Sequence, residues 1–195
     1  IVPKYGKKFE DVSKLFDHSA HNGSGYLNGH CFVSVMLCVP LWDKDRIVYQ
    51  ALPLSYRMWQ KKESKLELAA SMVRQVMPEL QGKTNVIILC DSWYTKGDLV
   101  SVVDEYPNLG LIGNARYDSV LYDPAPQPTG KRGRPAKHGK RLSAERDFTL
   151  SDEKIGGYYI GTRRVLTNIF GTREVLAYVT ATEKEGGSRR LFFST

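Results

Sequence analysis

One carboxylate stands out by its position. Asp91 follows five apolar residues, Val86-Ile87-Ile88-Leu89-Cys90, and opens the run Asp-Ser-Trp-Tyr-Thr-Lys. A short unbroken apolar run between turn signals reads as a strand buried on both faces. An acid at the carboxyl end of such a strand faces the crevice in which open α/β sheets bind ligands. Asp is also a favoured helix N-cap, and the spacing leaves both roles open. In the first role Asp91 is a hard oxygen donor. Phosphoryl-transfer sites use two or three such carboxylates around Mg²⁺, with substrate phosphate completing the shell. Trp93 and Tyr94 offer rings on which unpaired bases could stack. Packing against the following helix competes with that role, and for Trp93 it is the favoured reading.

A second chemistry-bearing stretch is electrostatic. From Lys131 to Arg146 there are seven basic residues and one acid, a net +6 out of the chain's +7. The remainder is nearly neutral, so the basic character is local and suits a polyanionic partner. The candidate DNA contacts are Lys131, Arg132, Arg134, Lys137, Lys140 and Arg141. Arg132-Gly133-Arg134-Pro135 is the core of an AT-hook, whose extended backbone lets arginines enter a narrow A·T minor groove. A solvated basic loop touching phosphates without sequence preference is the alternative.

The elements that must position these residues follow from periodicity and turn chemistry. Phe9 to Phe16 fits a helical turn or two, with Phe9, Val12, Leu15 and Phe16 on one side. Cys31 to Val39 reads as a central strand stopped by Pro40, and Arg46 to Leu54 as its hairpin return. Glu63 to Met77 has helical spacing and ends at Pro78. The strand Asn85 to Cys90, a helix from Gly97 to Glu105 and a strand from Leu109 to Ala115 come next. A hairpin followed by alternating helices and strands implies a mixed α/β sheet with helices on its faces. Asp123 to Gly130 holds three prolines in eight residues, which excludes helix and central strand. Beyond it, Tyr158 to Leu166, Glu174 to Thr182 and Leu191 to Ser194 form an antiparallel β unit. The expected division is a core over 1–116, a Pro-rich and basic loop over 117–146, and a β-rich insertion subdomain over 147–195.

Composition narrows the class further. The 195 residues are 42% hydrophobic and 25% charged, which is ordinary for a globular protein. No apolar run approaches the roughly 20 residues needed to cross a bilayer, so no membrane partner is expected. Residue 1 is not Met, and the chain reads as an excised piece. Cys31, Cys38 and Cys90 lack CxxC spacing and are expected to be buried, reduced packing residues. His18, His21 and His30 match no standard metal-ligand spacing.

Together these residues resemble a known family. Tyr5-Gly6-Lys7-Lys8, Phe16-Asp17-His18-Ser19, Tyr26-Leu27-Asn28-Gly29-His30, Val86 to Lys96 and Gly130 to Pro135 are similar, in order and spacing, to the catalytic region of bacterial insertion-sequence transposases of the DDE class. The resemblance covers nearly the whole chain. It implies an RNase H-like fold with a β-rich insertion, and three carboxylates binding two Mg²⁺ or Mn²⁺ ions. Those ions activate water or a DNA 3′-hydroxyl for attack on a phosphodiester. Asp91 matches the second acid, making it catalytic residue and metal ligand. The first, in a segment resembling Asp-Asp-Thr, would precede Ile1, and the third, a Glu on a helix, would follow Thr195. Asp17, Glu174, Glu183 and Glu185 are poor substitutes, and the fragment alone is expected to be inactive. The implied partners are double-stranded transposon ends and target DNA, handled by a homodimer in a bacterial cytoplasm, near the nucleoid. Another RNase H-like nuclease, or a non-catalytic DNA-binding domesticated transposase, are the alternatives.

Overall fold

The computed structural model describes residues 1–6, 8–17, 25–127, 134–185 and 187–195. They divide into two compact units, Ile1–Pro78 and Glu79–Thr195. The architecture is mixed α/β, with few helices.

In the first unit, strands β1 (Val2–Pro3), β2 (Ser13–Phe16) and β3 (Tyr26–His30) form a small antiparallel sheet in the order β1-β3-β2. The helical turn expected over Phe9 to Phe16 is instead a turn at residues 9–11 followed by β2. Lys14 and Phe16 point to the exposed side and Leu15 is buried, the period of two that a half-buried strand requires.

A long hairpin follows, β4 (Phe32–Asp43) paired with β5 (Arg46–Met58). It corrects the expected central strand in two ways. Among the described residues its pairing is confined to the two strands, and β4 runs through Pro40, which lies opposite Tyr49. A two-stranded ribbon consists only of edges, and an edge tolerates a residue that cannot donate to a ladder. Directly opposed residues share a face. Trp42 and Tyr49 on one side are 78% and 67% exposed, and Leu41 and Val48 on the other are also exposed. Cys38 is exposed rather than buried, while Cys31 is buried; all three cysteines are free.

Helix α1 (Lys65–Leu80) opens with a capping box. Ser64 Oγ accepts from Glu67 N at 3.0 Å, and Glu67 Oε2 accepts from Ser64 N at 2.7 Å, so two otherwise orphaned donors are satisfied. The Ser64 backbone N–H is the main reason the Glu67 carboxyl lies below its usual range. Leu68, Ala69, Met72, Val73 and Met77 are its buried stripe. Pro78 does not stop the helix, which continues to Leu80. The chain then leaves through Gly82 at φ +74, the left-handed conformation that glycine adopts without penalty.

The second unit is built on a seven-stranded sheet. Its members are β6 (Val86–Cys90), β7 (Leu109–Ala115), β8 (Leu121–Tyr122), β9 (Arg141–Leu142), β10 (Tyr159–Leu166), β11 (Glu174–Ala181) and β12 (Arg189–Ser194). The order is β6-β7-β12-β11-β10-β8-β9. Among the described residues only β6 and β7 are parallel, and they are connected through α2 (Gly97–Ser101) and a 3₁₀ turn at Val102–Glu105, since parallel neighbours need a crossover. The strands beyond residue 147 therefore continue the sheet that contains β6 and β7.

Alternation decides which side is the core. Along β11, Val175, Ala177, Val179 and Ala181 are buried, and Leu191 and Phe193 of β12 lie in the same layer. The Phe193 ring meets Phe170 edge to face at 5.6 Å. Each such fully buried large side chain contributes about 1.5–3 kcal/mol by leaving water. The opposite side is more open at β6. Ile87 and Leu89 are 57% and 67% exposed, so the strand expected to be buried on both faces is exposed on one and half-buried on the other, and it forms one border of the sheet.

Candidate functional site

Asp91 lies immediately after β6 and is exposed. Its side chain closes the next turn. Oδ1 accepts from Trp93 N at 3.0 Å and from Tyr94 N at 3.2 Å, while its backbone carbonyl accepts from Tyr94 N and Thr95 N, both at 3.1 Å. The capping role left open by the sequence is thus real, though it serves the Ser92–Thr95 turn and not α2, whose N-cap is Lys96. It occupies one oxygen only: Oδ2 meets no hydrogen-bond donor among the described residues.

The turn is fixed from below. Thr95 is 2% exposed, and its hydroxyl lies 2.9 Å from Asp91 O and 2.7 Å from Asn114 O. A single hydroxyl proton is shared between the turn and β7. Cys90 Sγ is 3.5 Å from the same oxygen, and burial is the main cause that pushes its thiol up. This arrangement requires Gly113. A Cβ there would stand 2.3 Å from Thr95 Oγ1 and 2.7 Å from Cγ2, well inside van der Waals contact. The carboxylate is therefore seated by β6, a buried threonine and a glycine on the parallel neighbour. Sequence reasoning missed Thr95 and Gly113. The second carried a signal, because a glycine inside a strand marks a close approach.

Trp93 and Tyr94 share the turn with Asp91. Trp93 is 52% exposed and does not pack away under the helix as expected. Lys96 Nζ sits 4.1 Å from its ring centroid, a cation–π contact worth about 0.5–1 kcal/mol at an exposed site. Tyr94 is half-buried.

Of the basic candidates, Lys131 and Arg132 lie outside the described residues, as does the first half of the Arg-Gly-Arg-Pro core. Arg134 and Lys137 are exposed. Lys140 is exposed and pairs with Asp147 at 3.4 Å, and Arg141 is on β9. Asp147 Oδ2 accepts from Ser143 N at 2.7 Å. That bond, and then Lys140, hold its carboxyl below the usual range. A shallow groove of about 780 Å³ runs between the Tyr117–Ser119 turn and the Lys140–Asp147 segment. Three basic and three acidic side chains line it (Lys140, Arg141 and Arg146 against Asp118, Glu145 and Asp147). The groove is balanced, and the excess positive charge belongs to the segment leading into it.

The family model described as DDE superfamily endonuclease matches residues 1–162. The chain belongs to the DDE superfamily endonucleases. No curated protein matches the sequence. Family membership gives the chain nuclease-class chemistry and DNA as its substrate class, and the resemblance read from the motifs to the DDE class stands.

For this DDE superfamily member, the fit of a divalent metal turns on donors. The open Oδ2 of Asp91 is a hard, anionic oxygen of the type Mg²⁺ and Mn²⁺ take. No group of three or more His, Cys, Asp or Glu residues that could hold a metal is present among the described residues. The residues therefore fit the metal as a source of one ligand and do not form a shell. His30, considered above with His18 and His21, has its Nε2 2.8 Å from Glu10 O; His18 and His21 lie outside the described residues. No helix among the described residues is long and apolar enough to cross a membrane.

Proposed function

We propose that this DDE superfamily endonuclease is a DNA transposase catalytic region in which Asp91 is the second of three metal-binding carboxylates. The observation that carries the reading is the pairing at Asp91 of one oxygen fixed by two backbone N–H groups with one left open, at the end of a strand whose parallel neighbour helps seat it. A metal held there in part by Asp91 would supply Lewis-acid activation of the attacking oxygen and of the scissile phosphate. Asp91 itself contributes a fixed negative oxygen, already oriented and needing no rearrangement to bind a cation.

The same reading takes the sheet of the second unit as part of an RNase H-like core. Residues 1–116 belong to that core, 117–146 to a DNA-contact loop, and 147–195 to an insertion whose strands extend the core sheet. Ile87 and Leu89, exposed beside Asp91, suit an additional element carrying a further acid. Double-stranded transposon ends and target DNA are the substrates, with hydrolysis followed by strand transfer. Trp93, on an exposed turn next to the acid, suits stacking with a base unpaired at the cleavage point.

The test is cleavage of end-bearing DNA by the full-length protein with Mg²⁺ or Mn²⁺, comparing wild type with Asp91→Ala. Loss of both hydrolysis and strand transfer is expected. Cleavage at the wild-type rate in the variant would remove Asp91 from the site.

A further inference from the structure

The basic segment is fastened at both ends by contacts within the fold. Tyr122 and Arg141 pair across β8 and β9. One step further out, Asp123 N donates to Lys140 O at 2.9 Å and Gly139 N donates to Asp123 O at 2.8 Å. The Tyr122 and His138 rings stack at 3.8 Å with an interplanar angle of 26°. Gly139 permits the closure, because a Cβ there would stand 2.7 Å from Pro124 O and 2.9 Å from Asp123 Cβ.

The closure is anchored to the sheet by one side chain. Arg163, half-buried on β10, donates from Nε and Nη2 to Asp123 Oδ1 at 3.0 and 2.7 Å. Its Nη1 donates to Asp147 O at 2.9 Å. One guanidinium thus holds the start of the segment and the turn that follows its end. Arg134 and Lys137, between those points, are exposed and make no ion pair among the described residues.

We propose that Asp123 and Arg163 are positioning residues that close the basic segment before DNA arrives. The inference rests on the reading of that segment as a DNA contact. Bringing two points far apart along a chain together has an entropic cost. Here folding meets it through the Asp123–Arg163 pair, so binding does not. Neither residue is placed at phosphate. The signature of such a role is weaker binding with an unchanged count of phosphate contacts.

The experiment measures binding of the full chain to a linear duplex of random sequence across a salt series, together with trypsin cleavage after Lys137 without DNA. Arg163→Met and Asp123→Asn should each weaken binding by about three- to tenfold, the range expected when a few groups must be ordered on binding. They should keep the wild-type salt slope and speed cleavage, and Arg163→Lys should recover part of both. Arg134→Ala/Lys137→Ala should instead lower the slope by about one per contact removed. A reduced slope in Asp123→Asn or Arg163→Met, or wild-type affinity and cleavage in both, overturns the positioning role. An unchanged slope in the Arg134/Lys137 variant overturns the DNA reading by itself, while the cleavage rates still judge the closure.

Discussion

Asp91 and Asp123 both directly follow a short strand, β6 and β8, and they differ in company. Asp123 gives an oxygen to two nitrogens of one guanidinium, so its charge is matched by a cation of the chain itself. Asp91 accepts only backbone N–H groups on Oδ1, which orient the carboxylate without neutralising it. A carboxylate matched by arginine is spent on structure. One fixed by dipoles alone keeps a full charge for a cation from outside. Position at a strand end does not separate the two; the partner does.

The comparison breaks most sharply under the same substitution at both sites. Asp91→Asn keeps a capping side chain, since Asn is as good a cap as Asp, but removes the anionic donor. In the full-length protein it should lower metal-dependent cleavage by about a hundredfold or more, a scale typical of losing transition-state charge stabilisation, with little change in Tm. Asp123→Asn should leave cleavage at saturating DNA near wild type. Comparable losses in the two variants would erase the distinction.

Gly113→Ala probes the seat of Asp91 without touching it. Its Cβ displaces the Thr95 hydroxyl, and overpacking of this kind costs about 1–3 kcal/mol. Urea denaturation should show that loss, accompanied by reduced cleavage. A variant as stable as wild type would mean that the turn yields freely. Ser64→Ala, far along the chain from both acids, removes an N-cap and should cost about 1 kcal/mol with cleavage intact, as a control for stability alone.

The smallest effect is one of pH. Asp147, beneath the end of the basic segment, is held below the usual carboxylate range by the Ser143 N–H and then by Lys140. Because its folded value is depressed, its contribution is fully present above the ordinary carboxylate pKa. It is lost as pH falls through the depressed value. The Ser143 amide resonance should stay constant from neutrality to about pH 4 and move only below it. Movement between pH 5 and 7 would contradict that hydrogen bond.

Where one pattern dominated, the sequence was a good guide. β7, β10 and β11 fall within a residue or two of their expected spans, because their alternation matches a sheet with one covered face. The readings that failed had two signals in conflict. Leu15 and Phe16 fit both periods over a short window, and strand pairing decided for β2. The apolar β4 promised burial, but the hairpin places it in a two-stranded ribbon. At the site, the capping role of Asp91 was legible, because Asp is a favoured cap. The roles of Thr95 and Arg163 were not. Thr95 matters through a carbonyl 19 residues away, and Arg163 through a carboxylate 40 residues away, and no local pattern encodes such pairings.

The β4–β5 ribbon has a practical consequence. Between Phe32 and Trp42, and again between Ile47 and Tyr56, there is no charged side chain. Natural proteins guard strand edges with lysines, inward charges or short length, and this ribbon carries charge only at its tip, Asp43 to Arg46, and at Arg57 near its base. A long, uncharged pair of strands with apolar residues on both faces is a template for intermolecular pairing. Solubility of the isolated chain should therefore depend steeply on protein concentration, and a single lysine at Val48 or Leu52 should raise it more than the same change on the basic segment.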